Sequence, residues 1–457
     1  MNKSLKKLII YFFILTLPNV VFAKKCPQPN FQKVNINSIK NKVSDSKKNV
    51  FVFFDGSQSM DGYVKNQPGE KNIFIDLIDD LTQIAEIAGP TKYHRFGKRI
   101  TPIDENQVVQ VTKPTFYTCQ TGASDCALDN QETRLDLVFK AAQSSKDSTV
   151  IIVTDLFVSS KHLVGSRRTT LVRPLKDILQ DGKSIGLLGV MSSFNGTIYD
   201  IPKKDGGEVT YSGSKRRPFY ILIIGNDQEI IEIKDNIMKQ TLVDYDNKNY
   251  KFSIITSNLV TENLNNQEFF SKSTFATIPN SDLKININAK QPTYQFDISR
   301  KNKRLKFEVP FSKYLIPNSN GIAEYKIVEE MWSTSDCKAE WRKFKETEYS
   351  EIEKINSDDQ NLKVTLFGKK NLDKLFYGRQ YFSSISIYAN QIGSNNEDVF
   401  AEWDVEEQKI EDFKNTEPVD FKTLNLKKIL RVLNSVAEEE FKPTLIANLN
   451  LHFDLEK

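Results

Sequence analysis

Five apolar residues in a row, Val50–Phe54, run without a break into Asp55-Gly56-Ser57-Gln58-Ser59. An uninterrupted apolar run of this length suits a strand buried on both faces, the kind found in a parallel sheet. At its carboxyl end Asp55, Ser57 and Ser59 place one short oxygen side chain at every second position. Hard oxygen groups so arranged suit a divalent cation of the Mg²⁺ type.

The pattern around this run alternates strand and helix. Phe74, Leu77, Ile78, Leu81, Ile84, Ala85 and Ala88 recur at helical spacing, and Gly89-Pro90 closes that helix. Tyr93–Phe96 reads as a second strand, and residues 101–132 as a polar, irregular stretch. A helix is expected from Thr133, with Leu135, Val138, Phe139 and Ala142 on one face, followed by the β-branched run Thr149–Val153. Val172, Leu175, Ile178 and Leu179 mark a further helix, and Ile185–Met191 and Phe219–Ile224 two more strands. The second of these leads into a helix through Ile230, Ile233, Ile237 and Met238. Between the two strands, Phe194–Pro218 is rich in glycine and in short alternating pieces, which predicts a β-hairpin in place of a helix. This alternation argues for a doubly wound, mainly parallel α/β sheet.

After about residue 275 the period changes to two. Leu283/Ile285/Ile287, Tyr294/Phe296/Ile298 and Leu305/Phe307/Val309/Phe311 alternate with polar residues, and Leu362–Phe367, Tyr381–Tyr388 and Phe400–Val405 continue the pattern. Short strands between Asn, Ser, Gly and Lys turns predict an antiparallel sandwich or barrel. Leu424, Leu430, Leu433, Ala437 and Phe441 form an amphipathic helix before a strand-like Leu445–Phe453. The expected organisation is a signal peptide at 1–23, an N-terminal segment at 24–47 and an α/β domain at 48–245. A linker at 246–279 and a β-rich domain with its late helix at 280–457 complete it.

The signal peptide rests on Lys3, Lys6 and Lys7, the apolar Leu8–Leu17 and the small-residue site Val21-Phe22-Ala23. It predicts an exported protein, periplasmic or secreted, with no membrane span after cleavage; an uncleaved anchor is the alternative. Residues 1–23 hold three lysines and no acid, so the remainder carries 60 basic and 59 acidic side chains, a net +1. Near-neutrality gives no case for nucleic-acid binding. Four cysteines in an exported chain permit two disulfides; Cys119 and Cys126 bracket a short loop and are the favoured pair, leaving Cys26 with Cys337.

The motif Asp55-x-Ser57-x-Ser59 after a buried strand resembles the metal-ion-dependent adhesion site of von Willebrand factor type A (vWA) domains. That family needs a threonine before a helix as a second loop, which Glu132-Thr133-Arg134-Leu135 matches, with Thr118 and Thr121 as rivals in the same segment. It needs an aspartate ending a buried strand as a third, matched by Val150–Thr154 and Asp155. Tyr93-His94-Arg95-Phe96-Gly97 is similar to the family's second strand, and the resemblance spans roughly residues 48–245. It implies a metal site of Asp55, Ser57, Ser59, Thr133 and Asp155 holding Mg²⁺ (or Mn²⁺/Ca²⁺). It also implies a protein partner that offers an Asp or Glu to the ion. Each residue alone has a plainer reading: Asp55 or Thr133 as a helix cap, Asp155 as a turn residue.

The expected function is therefore metal-dependent protein binding without catalysis. Three scattered histidines, His94, His162 and His452, and the absence of His-Glu-x-x-His, Gly-x-Ser-x-Gly and phosphate-loop patterns argue against common hydrolases and nucleotide enzymes. Two alternatives stand beside it: a structural or assembly subunit of an envelope complex, and a targeting module attached to an unrecognised enzyme domain. Lys161, His162, Arg167, Arg168, Arg173 and Lys176 follow Asp155 as a solvated helix face or a steering patch for an acidic partner. Lys215-Arg216-Arg217 precedes a strand, which in a parallel sheet places it at the edge opposite the motif and gives it no role.

Overall fold

The computed structural model describes residues 48–65, 72–118, 130–145, 147–157, 166–202, 208–257, 284–286, 293–298, 305–310, 322–335, 340–343, 350–353, 361–366, 379–392, 396–405 and 422–455. The signal segment, residues 24–47, all four cysteines, and Lys161 and His162 lie outside the described residues.

The amino-terminal half is built on a seven-stranded sheet. Its strands are β1 (Asn49–Asp55), β2 (Thr91–Phe96), β3 (Ile100–Ile103), β4 (Ser148–Thr154), β5 (Ser184–Pro202), β6 (Glu208–Gly225) and β7 (Tyr250–Ile255), in the spatial order β3-β2-β1-β4-β6-β5-β7. The helices relevant to the site are α1 (Asp61–Val64), α2 (Ile73–Ala88), α3 (Leu135–Ser144), α4 (Ser166–Gln180) and α5 (Asp227–Gln240). The sheet is covered on both faces, as the continuous apolar strands require. Val52 and Phe54 of β1, Ile151 and Val153 of β4 and Ile221 of β6 face a core shared with α2 and α5. Their neighbours Phe53, Val150, Ile152 and Leu222 face a second core with α3 and α4.

The sheet is mixed, where a mainly parallel one was expected. β1 runs parallel to β2 and β4, but β3, β6, β5 and β7 each join an antiparallel neighbour. The cause is the glycine-rich stretch 194–218, which does form a hairpin. It fuses the two expected short strands into one long ribbon, and β6 inserts between β4 and β5. A hairpin reverses direction where a helical crossover would have preserved it. Residues 250–255, expected within a linker, are the edge strand β7. The stretch after residue 100, expected to be irregular, holds β3, a 3-10 helix at Glu105–Thr112 and a helical turn at Pro114–Thr118.

The rest of the chain contributes a separate, largely antiparallel sheet of six strands. Its order is Arg342–Lys343, Ile322–Thr334, Gln380–Ile392, Thr444–Leu455, Thr293–Ile298 and Lys284–Asn286, with one parallel junction between Thr444–Leu455 and Thr293–Ile298. A three-stranded antiparallel sheet accompanies it, Leu305–Pro310, Asn361–Leu366 and Ser350–Glu353. Phe400–Val405, expected as a strand, is mostly a 3-10 turn, Ala401–Trp403, with a two-residue bridge at Asp404–Val405.

The late amphipathic helix, α6 (Leu426–Glu440), packs on the seven-stranded sheet. Leu430, Leu433 and Val436 join Leu135, Phe139, Leu175 and Leu222 in one core. Buried polar contacts fix this docking: Tyr220 Oη lies 2.9 Å from Thr423 Oγ1, and Asn396 donates to Asn434 over 2.7 Å. Among the described residues no helix is long and apolar enough to cross a membrane.

Candidate functional site

β1 ends at Asp55, level with Phe96 at the end of β2, and its penultimate residue Phe54 lies beside Val153 of β4. The parallel register therefore brings Asp55, Thr154 and Asp155 to one edge, where an open α/β sheet exposes the carboxyl ends of its strands. The loop after β1 is held on two sides: Gly56 N donates to Phe96 O over 2.7 Å, and Gln58 N to Asn130 O over 3.0 Å. The second bond ties it to the segment bearing Thr133, which Arg134 N fastens to Gly97 O over 3.2 Å. Arg95 packs closely over Gly56, where a Cβ would lie 2.2 Å from Arg95 Nε, so a larger residue there would displace the guanidinium. The Arg95 guanidinium crosses this position and donates to Gly56 O over 2.8 Å.

Asp55 is buried, 1 % exposed, and its carboxylate is crowded with donors. Ser57 N donates to Oδ1 over 2.9 Å, Thr154 Oγ1 donates to Oδ2 over 2.6 Å, and Thr133 Oγ1 lies 3.3–3.4 Å from both oxygens. Ser57 Oγ and Ser59 Oγ are 3.1 Å apart, so both hydroxyls reach a common point. Burial, and after it the charge of Asp155, push the Asp55 carboxyl up to about 7, against the opposing pull of the Thr154 and Ser57 bonds. Thr133 does not cap the following helix: α3 begins at Leu135 with Arg134 before it. Its hydroxyl is thereby left to face Asp55.

Asp155 is fully buried and turned back toward the edge by a strained residue. Leu156 adopts φ +48°, a left-handed conformation that costs a non-glycine residue about 1–3 kcal/mol. Its buried side chain anchors it in the core with α3, α4 and α6. The turn lets Phe157 N donate to Asp155 Oδ1 over 3.1 Å and Leu156 N to Thr154 Oγ1 over 3.2 Å. The other Asp155 oxygen, Oδ2, forms an ion pair with Arg217 Nη2 at 2.9 Å.

Arg217, expected at the opposite edge, lies at the site because of the direction of β6. That strand is antiparallel to β4 with Tyr220 opposite Thr154, so residues just before Tyr220 project past the end of β4, at the site. Arg217 is fully buried among rings, its guanidinium carbon 5.8 Å from the ring centre of Tyr63, 5.4 Å from Phe157 and 5.2 Å from Phe194. Cation–π attraction and the ion pair together offset part of its desolvation. The signal for it lay in the expected hairpin itself, since two strands joined by a hairpin cannot both run with β4. Thr154 joins the site without having been expected there, and its signal is a hydroxyl ending an otherwise apolar strand. Of the basic run after Asp155, Arg173 is exposed and Lys176 is paired with Glu439 and Glu440 of α6.

All five expected residues thus reach one edge, two buried carboxylates inside and the hydroxyls of Ser59 and Thr133, half-buried, toward the rim. The donor set is oxygen only and includes neutral hydroxyls, which fits a hard divalent cation. Among the described residues no cluster of three or more His, Cys, Asp or Glu side chains could hold a metal; a cation here would rely on the hydroxyls. No protein-family model, curated protein or solved structure significantly matches this chain.

Proposed function

We propose that this edge binds a divalent cation of the Mg²⁺ type, with Mn²⁺ and Ca²⁺ as alternatives, and uses it to take an aspartate or glutamate of a protein partner. Asp55, Ser57, Ser59 and Thr133 would hold the ion, with Asp155 behind them. The observation that carries the reading is the convergence of two buried carboxylates with three hydroxyls on one sheet edge. The resemblance of the Asp55, Thr133 and Asp155 loops to the vWA adhesion site adds to it. When bound, the ion supplies a positive acceptor for a carboxylate. The chain's own groups orient that acceptor and favour partners that bring an acid over those that do not. The protein would work in the periplasm or outside the cell as a binding protein without catalysis.

Melting the purified chain with and without Mg²⁺, Mn²⁺ or Ca²⁺ tests the ion, and Asp55→Asn should abolish any stabilisation. Capture of the natural partner should fail with chelator and fail again when one acid of the partner is neutralised. The Asp155–Arg217 pair favours a second reading, in which a resident cation balances the edge and the domain docks inside an envelope assembly through an ordinary interface. Partner capture that survives chelator and Asp55→Asn would establish that reading instead.

A further inference from the structure

We infer that Arg217 is a built-in countercharge that keeps the metal-loaded edge positive enough to accept a carboxylate; the inference rests on the cation reading above. The edge buries two carboxylates, Asp55 and Asp155, and one guanidinium, Arg217. Nearby, Asp61 is balanced by its ion pair with Lys65, whereas the half-buried Arg95 donates to the neutral Gly56 carbonyl and keeps its own positive charge. The wholly buried groups, with Asp55 ionised against a bound cation, sum to one net negative charge, and a divalent cation makes the edge positive. Removing Arg217 lowers that positive charge by one unit and weakens the pull on a partner's acid.

The structure holds Arg217 too firmly for it to be an incidental neighbour. It is wholly buried, three rings surround the guanidinium, and the following residue is fixed by the bond from Tyr63 Oη to Pro218 O over 2.6 Å. Its contact with Asp155 occupies the oxygen that Phe157 N leaves open. Each Asp155 oxygen thus has a partner within the protein. Arg217 is in this sense a positioning residue, acting through Asp155 and through the net charge.

The test separates ion binding from carboxylate binding. The full chain is titrated with Mn²⁺, and the relaxation of the acetate methyl protons by the bound ion is measured at equal Mn²⁺ occupancy. Arg217→Met keeps an apolar stem among the rings and removes the charge. It should tighten Mn²⁺ by on the order of a hundredfold, as removing a unit charge about 10 Å from a divalent ion at an effective dielectric of about 20 implies, and weaken the acetate effect by a smaller factor, because acetate carries one charge. Arg217→Lys, which keeps the charge, should keep the acetate effect. The double variant Arg217→Met/Asp155→Asn restores the original net charge and should restore acetate relaxation, and it serves if the single variant does not fold. A structural role alone would move both measurements in the same direction or neither. That result, or a double variant as poor as the single one, overturns the inference while leaving the ion site standing. Wild-type protein that binds none of the three cations overturns the reading beneath it.

Discussion

The two edges of the seven-stranded sheet bury charge in different ways. At the edge where β1 and β4 begin, each charge fastens one element to another. Glu229 closes a capping box with Asn226 at the start of α5, accepts Thr149 Oγ1 over 2.9 Å and pairs with Lys48 at 2.7 Å. Lys183 donates to the carbonyls of Ser145 and Ser148 over 2.6 and 3.1 Å, fastening the end of α3 and the start of β4. At the edge where β1 and β4 end, two carboxylates of the same sign are brought close, and Asp155 is paired with a buried guanidinium. The first arrangement is explained by fold stability alone. The second concentrates like charge beside rim hydroxyls, which stability alone would not select.

The largest effect that could break the contrast is at Arg217. Without any cation, Arg217→Met should lower unfolding stability by about 3–5 kcal/mol, because a buried carboxylate loses its partner. Lys48→Ala at the other edge, where the pair is partly exposed, should cost about 1 kcal/mol or less. Urea unfolding of both variants reads the difference; equal losses would erase the distinction between the edges.

Next in size is a pH effect at the strand-start edge. Burial pushes the Asp227 carboxyl up from 3.8 to about 6, against a hydrogen bond with Ser184. Between these values the folded chain binds more protons than the unfolded chain, so this group's contribution to stability falls as pH rises from about 4 to about 6 and is level above. The two-unit shift corresponds to about 3 kcal/mol. Asp227→Asn should reduce the overall slope, read as unfolding midpoints at pH 4 and pH 7, and leave the part that the raised Asp55 carboxyl contributes. An unchanged slope would show that this edge tolerates its one buried acid without penalty.

A cation should sharpen the comparison from the other side. At a free concentration a hundredfold above its dissociation constant, Mg²⁺ should stabilise the chain by about 2.7 kcal/mol. Asp55→Asn should abolish the gain and Asp227→Asn should leave it intact, as measured by melting with and without the ion. The smallest effect expected is Asn226→Ala, which removes the bond to Glu229 N and should cost about 1 kcal/mol with no change in the response to Mg²⁺.

Much of the α/β layer was legible because its strands carry unbroken apolar runs and its helices a clean helical period. Val50–Phe54, Thr149–Val153, α2 and α5 all follow from pattern, and Asn226 with Glu229 is a readable capping box. The β-rich segment was legible as alternation. Its thirteen-residue strand Ile322–Thr334 was not, because Glu324, Lys326, Glu329 and Glu330 break the apolar pattern. Buried Glu329 accepts a bond from Ser383 of the neighbouring strand over 2.7 Å, so an acid there is satisfied rather than expelled.

By itself the sequence determined that Asp55, Ser57, Ser59 and Asp155 end or follow buried strands, since local composition fixes where an apolar run stops. It also determined that a hairpin lies between 194 and 218, since glycine and short alternation are local signals. Only the tertiary structure decided where β6 inserts. Strand neighbours are chosen by burial over long separations, which no local pattern encodes. That one choice turned Arg217 from a residue at the far edge into the partner of Asp155. Tertiary packing also laid α6 against the first sheet, because an amphipathic helix announces that it needs an apolar surface without saying which.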